Sequence, residues 1–541
     1  MGERGLIMSI KPHRGGAETR SSAYHVAIAA LSLLTLAFSL LWAVVMPPFT
    51  GPDEYAHYNS VTRLVAGDGW PRPYDARIEK STIQAVAESG GSYLDQRLEV
   101  LPDPADRALL LQGDDWERQA RDQMVQHPPL YYGAVAAVVW AAGGEELRWD
   151  QAQMIMRSMS ALMLACSIPF VVGIARRVTS SRVAGLVGGA AVLLVPYFTN
   201  SGGFVNNDNL LVVACAAATY FAIRGLGDRE RAIRYFVWSG AALGVALLTK
   251  GLALMLIPVI ALIAVRSAWL ASGLLRKAAL VATPMLVAFV IGGWWWARNL
   301  IILGRIQPSI LGGREPIGNP AEGYDFWFFV GNAVVRFNRS FWGRGSRPEF
   351  ALPELVADLA GLGFVVALVV AVVVARRRAL LLSLWLFPAL VVATTVVNAH
   401  RIFWDLGRPA QGIQGRYVFA GIAALAATIA VLFAWIVRRH VGRGVRALAV
   451  VGVVLAPAPT WAGLWWVYAR VWNGEPAQSL ALAHGVPTGW IVLLMVAAMA
   501  AHAVLGIAAA RSQGGGNAKA ALPRGGESPR GTRSDEPTSA G

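Results

Sequence analysis

Long apolar runs alternate with short polar segments along most of the chain. Thirteen of these runs have the length and the lack of charge of membrane-embedded helices. They cover residues 23–46, 128–142, 151–175, 182–199, 209–224, 235–249, 251–266, 278–297, 353–375, 379–397, 417–437, 447–468 and 488–510. The neighbouring runs at 235–249 and 251–266 form a hairpin in this interpretation, because about 32 helical residues would far exceed the roughly 30 Å hydrocarbon core. The pattern predicts an all-α polytopic membrane protein.

The cations between the runs predict the topology. Arg4, Lys11, Arg14 and Arg20 precede the first run, which places segment 1–22 in the cytoplasm. Later arginine clusters share that side only if 128–142 lies on the outer membrane surface instead of crossing. These clusters are Arg176/Arg177/Arg182, Arg229/Arg231/Arg234, Arg276/Lys277, Arg376/Arg377/Arg378 and Arg438/Arg439/Arg443/Arg446. This arrangement predicts about 12 transmembrane helices within residues 23–510, with both termini cytoplasmic.

The same topology predicts three external segments, at about residues 47–150, 298–352 and 398–416. The first of them carries the juxtamembrane helix at 128–142. Residues 511–541 are rich in Gly, Ser, Pro and Arg and have no apolar periodicity. Such a segment cannot bury a core, so we expect a disordered, basic cytoplasmic tail.

Composition restricts the class of protein and of partner. With 541 residues, 55% of them hydrophobic, the chain is too apolar for a water-soluble globule. The net charge of +15 sits in the short loops, so it indicates topology and no nucleic acid partner. Cys166 and Cys215 lie inside apolar runs, which supports neither a disulfide framework nor a zinc site. Preference for Arg over Lys, with abundant Ala, Gly and Val, is typical of a high-GC bacterium and predicts a bacterial plasma membrane protein.

Ten ionisable or amide side chains fall near the predicted outer ends of the apolar runs. They are Asp53, Glu54, His57, His127, Arg157, Asn207, Asp208, Lys250, Arg298 and Arg416. Charged groups are costly to hold beside hydrocarbon, so ionisable residues at this boundary are candidates for function.

Several of these residues also have ordinary structural explanations. Asp208 can cap the helix that follows it, and Arg298 and Arg416 can extend their charges to lipid headgroups. His127 can close a loop before two prolines, and Lys250 can be a simple turn cation. The tryptophans at 294–296 are typical of interfacial aromatic residues.

Two carboxylate positions facing several cations suit one chemistry in particular. A carboxylate can act as general base toward an acceptor hydroxyl, and cations stabilise the charge that develops on a departing phosphate. Nucleotide sugars are made in the cytoplasm, so an external transferase needs a donor carried by a lipid. A polyprenyl-phosphate sugar meets that need, with its tail in the bilayer and its phosphate at the interface.

Seven short motifs occur in order between about residues 20 and 440. They are Pro52-Asp53-Glu54-Tyr55-Ala56-His57-Tyr58, His127-Pro128-Pro129-Leu130-Tyr131-Tyr132, Asn207-Asp208, Lys250-Gly251, Trp295-Trp296-Ala297-Arg298-Asn299, Ser340-Phe341-Trp342-Gly343 and Gln414-Gly415-Arg416-Tyr417. In this order they resemble the GT-C superfamily of membrane glycosyltransferases, which includes protein O-mannosyltransferases and the lipid A aminoarabinose transferase. Within that superfamily the chain is most similar to a bacterial family catalogued as domain of unknown function 2142.

The resemblance implies a GT-C-like helical bundle with an active site at the external face. It implies an inverting hexosyl or pentosyl transfer from a polyprenyl-phosphate sugar to a cell-envelope glycan, lipid or protein. Asp53 would be the catalytic base, and Asp208 would correspond to a second acidic position of the catalytic site.

The remaining candidates are expected to support these two residues. Glu54 would assist Asp53 and His57 would orient the acidic pair. The expected substrate-binding residues are His127, Lys250, Arg298, Arg416, Arg157 and Asn207. No cofactor is required by this scheme, although Mg²⁺ or Mn²⁺ shared by Asp53, Glu54 and Asp208 is an open alternative.

Two other functions remain open at the level of sequence. One is a transporter or flippase of lipid-linked sugars, and the other is a non-catalytic assembly protein that binds glycolipid. Transporters usually bind substrate near the bilayer midplane on interrupted helices. The polar residues here lie at one rim of largely uninterrupted spans, which favours the enzyme.

Overall fold

The computed structural model describes residues 15–73, 75–90, 101–114, 120–308, 324–343, 351–408, 411–439 and 443–513. Regular structure in these residues is helical, apart from two isolated β-bridges that join Arg77 to Arg121 and Leu109 to Arg148. The prediction of an all-α membrane protein is confirmed.

Twenty-one α-helices occur in the described residues. They are α1 (Gly15–Val45), α2 (Glu54–Val65), α3 (Lys80–Glu88), α4 (Leu130–Ala141), α5 (Trp149–Ala165), α6 (Ile168–Thr179), α7 (Arg182–Ala190), α8 (Pro196–Gly202), α9 (Asp208–Gly227), α10 (Ala232–Leu247), α11 (Ile257–Trp269), α12 (Leu274–Ala288), α13 (Trp294–Leu303), α14 (Phe326–Trp342), α15 (Glu354–Val374), α16 (Arg378–Leu406), α17 (Ile422–Arg439), α18 (Arg443–Leu455), α19 (Ala458–Val471), α20 (Ala477–His484) and α21 (Thr488–Gln513). Short 3₁₀ segments at Gly251–Leu256 and Gly415–Gly421 lead into α11 and α17.

Ten helical segments of the described chain are long and apolar enough to cross a membrane. They are Ser22–Val45, Trp149–Thr179, Asp208–Gly227, Gly251–Trp269, Leu274–Leu303, Glu354–Val374, Arg378–Asp405, Gly415–Arg439, Ala447–Val471 and Thr488–Ser512. An eleventh is added if the bent pair Arg182–Leu194 and Pro196–Gly202 counts as one span. The protein is therefore a multi-pass membrane protein.

The count differs from the predicted 12 spans at two places. The run at 182–199 bends by 76° before Pro196, since proline cannot continue the backbone hydrogen bonding of the preceding helix. The run at 235–249 becomes α10, whose 16 residues extend over about 24 Å and fall short of the hydrocarbon core.

The polar segment after α1 is folded around an apolar core of its own. Helix α4 lies where a surface helix is predicted at 128–142, and its 12 residues are too few to cross a bilayer. Its buried side chains Tyr131, Tyr132 and Val135 pack in one cluster with Phe49 and Tyr58. The described part of this segment therefore packs in one apolar cluster with the start of α5.

Helices α14 and α16 occupy parts of the second and third predicted external segments. Helix α14 lies inside the predicted loop 298–352, where polar residues such as Asn332 and Arg339 interrupt the apolar run and conceal it. Helix α16 continues past residue 397 to Leu406, and it is followed by Gly407, whose φ of 65° suits a helix end. The predicted tail begins inside α21, which reaches Gln513. The rest of the tail, and residues 1–14, lie outside the described residues.

The end of α1 is held by the C-terminal part of the chain. Trp472 Nε1 donates a hydrogen bond of 2.7 Å to the Val45 carbonyl, and His484 Nε2 lies 2.9 Å from the Val44 carbonyl oxygen. These contacts fix the point from which the Pro47-Pro48 segment leads to α2. They therefore help to position the acidic residues at the start of α2.

Candidate active site

Asp53, Asp208, Lys250 and Arg416 come from four separate parts of the chain and meet in one place; we call them the four-charge cluster. Lys250 Nζ donates a hydrogen bond of 2.6 Å to Asp208 Oδ1. The Arg416 guanidinium lies 3.6 Å from Asp53 Oδ2 through Nη2 and 3.7 Å from Asp208 Oδ2 through Nε. Arg416 therefore bridges two carboxylates that are far apart in sequence.

Three members of the cluster stand at the starts of helices. Asp208 is the first residue of α9, Lys250 precedes the 3₁₀ segment Gly251–Leu256, and Arg416 is the second residue of Gly415–Gly421. Helix starts present unpaired N–H groups and partial positive charge. Their convergence, together with two side-chain cations, makes this region favourable for an anion.

Arg416 is positioned by the contact of two predicted motifs. The Gly415 N–H donates a hydrogen bond of 2.8 Å to Ser340 Oγ. A side chain at Gly415 would collide with the backbone of Phe341, so only glycine allows α14 to approach this closely. The Ser340-Phe341 and Gly415-Arg416 motifs thus form one structural unit.

Lys250 is fixed in a similar way. The Trp296 indole Nε1 donates a hydrogen bond of 3.0 Å to the Leu247 carbonyl at the end of α10. Asn207 Nδ2 donates one of 3.3 Å to the Thr249 carbonyl. The turn that carries Lys250 is therefore attached both to α13 and to the residue before Asp208.

Asp53 is the most exposed carboxylate of the cluster. Its side chain is 35% exposed, whereas those of Asp208 and Arg416 are 8% and 3% exposed. Its backbone adopts a left-handed conformation with φ 58°, which is unfavourable for a residue other than glycine. Gln123 Nε2 donates a hydrogen bond of 2.8 Å to Asp53 Oδ1 and fixes its carboxylate. Asp53 is thus held in a strained position that an incoming molecule can reach.

Two buried histidines lie beside the cluster. His57 Nδ1 lies 2.9 Å from the Tyr132 hydroxyl, and the two rings are stacked. Burial lowers the pKa of His57 well below its usual value, and the charges of Lys250 and Arg416 lower it further. Burial and Lys250 lower the pKa of His127 to about 3. Both rings are therefore neutral at physiological pH.

Several buried polar atoms around the cluster have no hydrogen-bond partner. Within the described part of the chain they include Asp208 Oδ2, Arg416 Nε and Nη1, His127 Nδ1 and Asn207 Oδ1. Buried polar groups in folded proteins are normally paired. The unpaired guanidinium N–H groups of Arg416 fit an anionic ligand, so the arrangement suits a phosphate.

Glu54 lies next to Asp53 in sequence but belongs to a different network. Both of its carboxylate oxygens contact Arg157, and the side chains of both residues are fully buried. Glu54 also accepts hydrogen bonds from the backbone N–H groups of Gly51 and Val205. This pair is saturated by protein groups, which favours a structural role over the expected catalytic and substrate-binding ones.

Two further candidates differ from expectation in their contacts. Arg298 lies with its guanidinium 5.0 Å from the Trp295 ring and donates a hydrogen bond to Asn299. Among the described residues it forms no hydrogen bond or ion pair with the four-charge cluster. His57 is hydrogen-bonded to Tyr132 instead of orienting the acidic pair.

Sequence reasoning missed three residues of the site. Gln123 gave no signal, because an amide in a loop has no distinctive pattern. Tyr132 and Tyr417 lie within the predicted motifs but were not singled out. Tyr417 places its ring 5.0 Å from Lys250 Nζ, which provides a cation–π contact.

The expected alternative of a shared divalent cation does not fit the geometry. The described residues contain no group of three His, Cys, Asp or Glu side chains that could hold a metal ion. Glu54 is engaged by Arg157, and a guanidinium already lies between Asp53 and Asp208.

An apolar cavity of about 1040 Å³ lies between four helices of the bundle. Helices α14, α15, α16 and α17 form its walls. Val418 and Gly421, which belong to the same 3₁₀ segment as Arg416, also line it. Its other wall residues are almost all aliphatic or aromatic. Its composition suits a hydrocarbon chain.

Comparisons with known proteins bear on part of this arrangement. Residues 131–296 match the family model for dolichyl-phosphate-mannose-protein mannosyltransferase. This segment is less than half of the chain and includes Asp208 and Lys250, whereas Asp53 and Arg416 lie outside it. A search of curated protein sequences gives no match.

Among solved structures, the chain is similar to ArnT from Cupriavidus metallidurans bound to undecaprenyl phosphate. That alignment has 16% identity and a TM-score of 0.47, and it covers 91% of this chain and 77% of the other. The oligosaccharyltransferase AglB from Archaeoglobus fulgidus, in complex with an inhibitory peptide and a dolichol-phosphate, aligns with 13% identity and a TM-score of 0.39. It covers 82% of this chain and 56% of the archaeal one.

Proposed function

We propose that the chain is a GT-C membrane glycosyltransferase that moves a sugar from a polyprenyl-phosphate donor to a hydroxyl of a cell-envelope acceptor at the external membrane face. The observation that carries the proposal is the four-charge cluster, in which Arg416 bridges Asp53 and Asp208 and keeps buried N–H groups unpaired. A partly exposed carboxylate beside buried cations matches the needs of hydroxyl attack on a phosphate-linked sugar.

Asp53 is the catalytic base in this mechanism. It accepts the proton of the acceptor hydroxyl while that oxygen forms a bond to the anomeric carbon of the donor sugar. The bond from the anomeric carbon to the phosphate oxygen breaks, and its electron pair leaves with the phosphate. Attack on the face opposite the leaving group inverts the anomeric centre.

Arg416 and Lys250 bind the phosphate and stabilise the negative charge that it gains. Asp208 holds both cations in place, because its two oxygens face Lys250 and Arg416 separately. His127 and Asn207 have unpaired buried atoms nearby and complete the polar wall. The partial positive charges at the three helix starts also stabilise the bound phosphate.

The polyprenyl chain of the donor occupies the apolar cavity lined by α14 to α17. Its wall includes Val418, two residues from Arg416, so the charged headgroup and the hydrocarbon chain can be bound together. The matched family model supports the class of donor, since its description names a sugar attached to a lipid phosphate. We also propose that the chain belongs to the bacterial family catalogued as domain of unknown function 2142.

The test is transfer of radiolabelled sugar from polyprenyl phosphate to cell-envelope fractions in proteoliposomes. We expect Asp53→Asn to lower the rate by roughly 10²- to 10⁴-fold, the usual contribution of a general base. Asp68→Asn, at an exposed acid after α2, is the matched control and keeps the wild-type rate. A wild-type rate in Asp53→Asn would remove Asp53 from the mechanism. Movement of labelled lipid across the bilayer without product would favour a transporter.

A further inference from the structure

A second large cavity lies at the opposite ends of the helices that carry the four-charge cluster. Asp208 begins α9, while Gly227 at the end of α9 lines this cavity. Lys250 precedes the span Gly251–Trp269, and Arg266 in its last turn lines the cavity as well. A 20-residue helix is about 30 Å long, so the cavity and the cluster lie at opposite membrane faces.

Arginine dominates the polar part of this cavity, which has a volume of about 1070 Å³. Its arginines come from the last turn of α6, the last turn of α11, the connection between α15 and α16 and the first residue of α16. They are Arg176, Arg177, Arg266, Arg376, Arg377 and Arg378. No aspartate or glutamate is among the described residues that line it, and aliphatic side chains such as Ile223 and Leu226 form the remaining wall.

The described part of the protein leaves the positive charge of these six arginines uncompensated. Among the described residues, none of the six forms an ion pair with a carboxylate. Arg377 donates a hydrogen bond to the Arg177 carbonyl, and Arg378 donates one to the Val373 carbonyl. Arg176 lies 5.6 Å from the Tyr24 ring. Several like charges around one cavity repel one another unless an anion joins them.

We propose that this cavity binds the phosphate headgroup of an anionic membrane lipid. Arginine matches phosphate oxygens with paired N–H donors, and the cavity lies at the ends of membrane spans, where headgroups are found. The aliphatic wall can contact the first part of the acyl chains. Arginines in loops can set the topology of a membrane protein without lying next to one another. Topology alone therefore does not explain why these six arginines line one cavity. The proposal is independent of the sugar-transfer chemistry.

The test measures binding of short-chain phosphatidylglycerol to the purified full chain in detergent, with short-chain phosphatidylcholine and inorganic phosphate as separate arms. Arg266→Gln/Arg376→Gln removes two cavity arginines that form no hydrogen bond with a described residue. Arg231→Gln/Arg234→Gln is the matched control, because it removes two arginines at the same ends of the helices but outside the cavity lining.

We expect phosphatidylglycerol to bind saturably and phosphatidylcholine not to bind. The cavity variant weakens binding by roughly 25-fold, from about fivefold for each arginine near a charged surface, and the control variant does not. Equal weakening in both variants, or in neither, would overturn the site. Displacement of the lipid by equimolar inorganic phosphate would show that a soluble phosphate is the ligand instead. Unchanged melting temperatures of both variants show that each is folded.

Discussion

Glu54 and Arg157 form a two-point ion pair, with distances of 2.7 Å from Nε to Oε1 and 2.8 Å from Nη2 to Oε2. Arg157 also donates hydrogen bonds to the carbonyls of Ala43, Met46 and Pro47. The pair therefore joins α5 to the end of α1 and to the first turn of α2. Because Asp53 precedes Glu54, the same pair fixes the backbone from which the proposed base projects.

We expect Glu54→Gln to destabilise the protein strongly. Removal of one partner from a buried ion pair leaves an uncompensated charge and costs about 3–5 kcal/mol. The measurement is the thermal unfolding of the purified protein in detergent. Glu79→Gln is the control, since Glu79 pairs with Arg63 but its side chain is 38% exposed, and such pairs contribute about 0–1 kcal/mol. An unchanged melting temperature with lost transfer would instead indicate a catalytic role for Glu54.

Asp53 adopts its left-handed backbone at some cost in stability, and two variants can measure that cost. Asp53→Gly and Asp53→Ala both remove the carboxylate, so we expect both to lose transfer. Glycine accepts φ 58° without strain, whereas alanine does not, so the glycine variant should be more stable by about 1 kcal/mol. The comparison uses unfolding in denaturant. Equal stability of the two variants would show that the backbone is relaxed.

Sequence alone predicted the helical membrane class and most helix positions, because long uncharged runs are a direct signal. It also placed Asp53, Asp208, Lys250 and Arg416 near the ends of those runs, and the structure brings these four together. The roles of these residues remain proposals. The resemblance to GT-C enzymes is supported by the mannosyltransferase family model over 131–296, while the finer family stays a prediction.

The remaining features depend on side-chain direction, which sequence spacing does not reveal. Asp53 and Glu54 are neighbours, yet the left-handed backbone at Asp53 directs them into separate networks. Arg298 follows a row of tryptophans and stacks on Trp295, so its position near a span end gave no information about its partner. Helix α14 was missed because its polar residues break the apolar run.

Arg416 is expected to be irreplaceable by lysine. A guanidinium can contact Asp53 and Asp208 and still present N–H groups to a phosphate, whereas a single ammonium cannot reach all three. We expect Arg416→Lys to lower kcat/KM for transfer by roughly 10²- to 10³-fold, as for the loss of one donor that stabilises developing charge. Arg298→Lys is the control and should change kcat/KM only slightly. Similar losses in both variants would place Arg298 in the site as well.

Burial of His127 makes the free energy of unfolding depend on pH below neutrality. Its pKa is about 3 in the folded protein and about 6.5 when unfolded, so the unfolded chain binds more protons between these values. The contribution of His127 to the free energy of unfolding is therefore complete above pH 6.5 and is lost as the pH decreases toward 3. At pH 5 the loss from this residue is on the order of 2 kcal/mol.

We expect His127→Gln to reduce that acid loss. Melting temperatures of wild type and variant, measured from pH 7.5 to pH 5, should converge as pH falls. His25→Gln, at an exposed histidine of α1, controls for the substitution itself. Parallel curves for wild type and His127→Gln would show that the pKa of His127 is the same in the folded and the unfolded protein.

The apolar cavity predicts that donor chain length matters. Ala393 lies on α16 in the cavity wall, so Ala393→Trp fills space that the polyprenyl chain would occupy. We expect KM to rise about tenfold or more for a long-chain donor, since displacing even two buried CH₂ groups costs about 1.6 kcal/mol. A short-chain donor that does not reach Ala393 should keep its KM. Val397→Trp, on the same helix but outside the cavity wall, is the control. If both donors are affected equally by Ala393→Trp, the substitution disturbs the four-charge cluster and the hydrocarbon chain binds elsewhere.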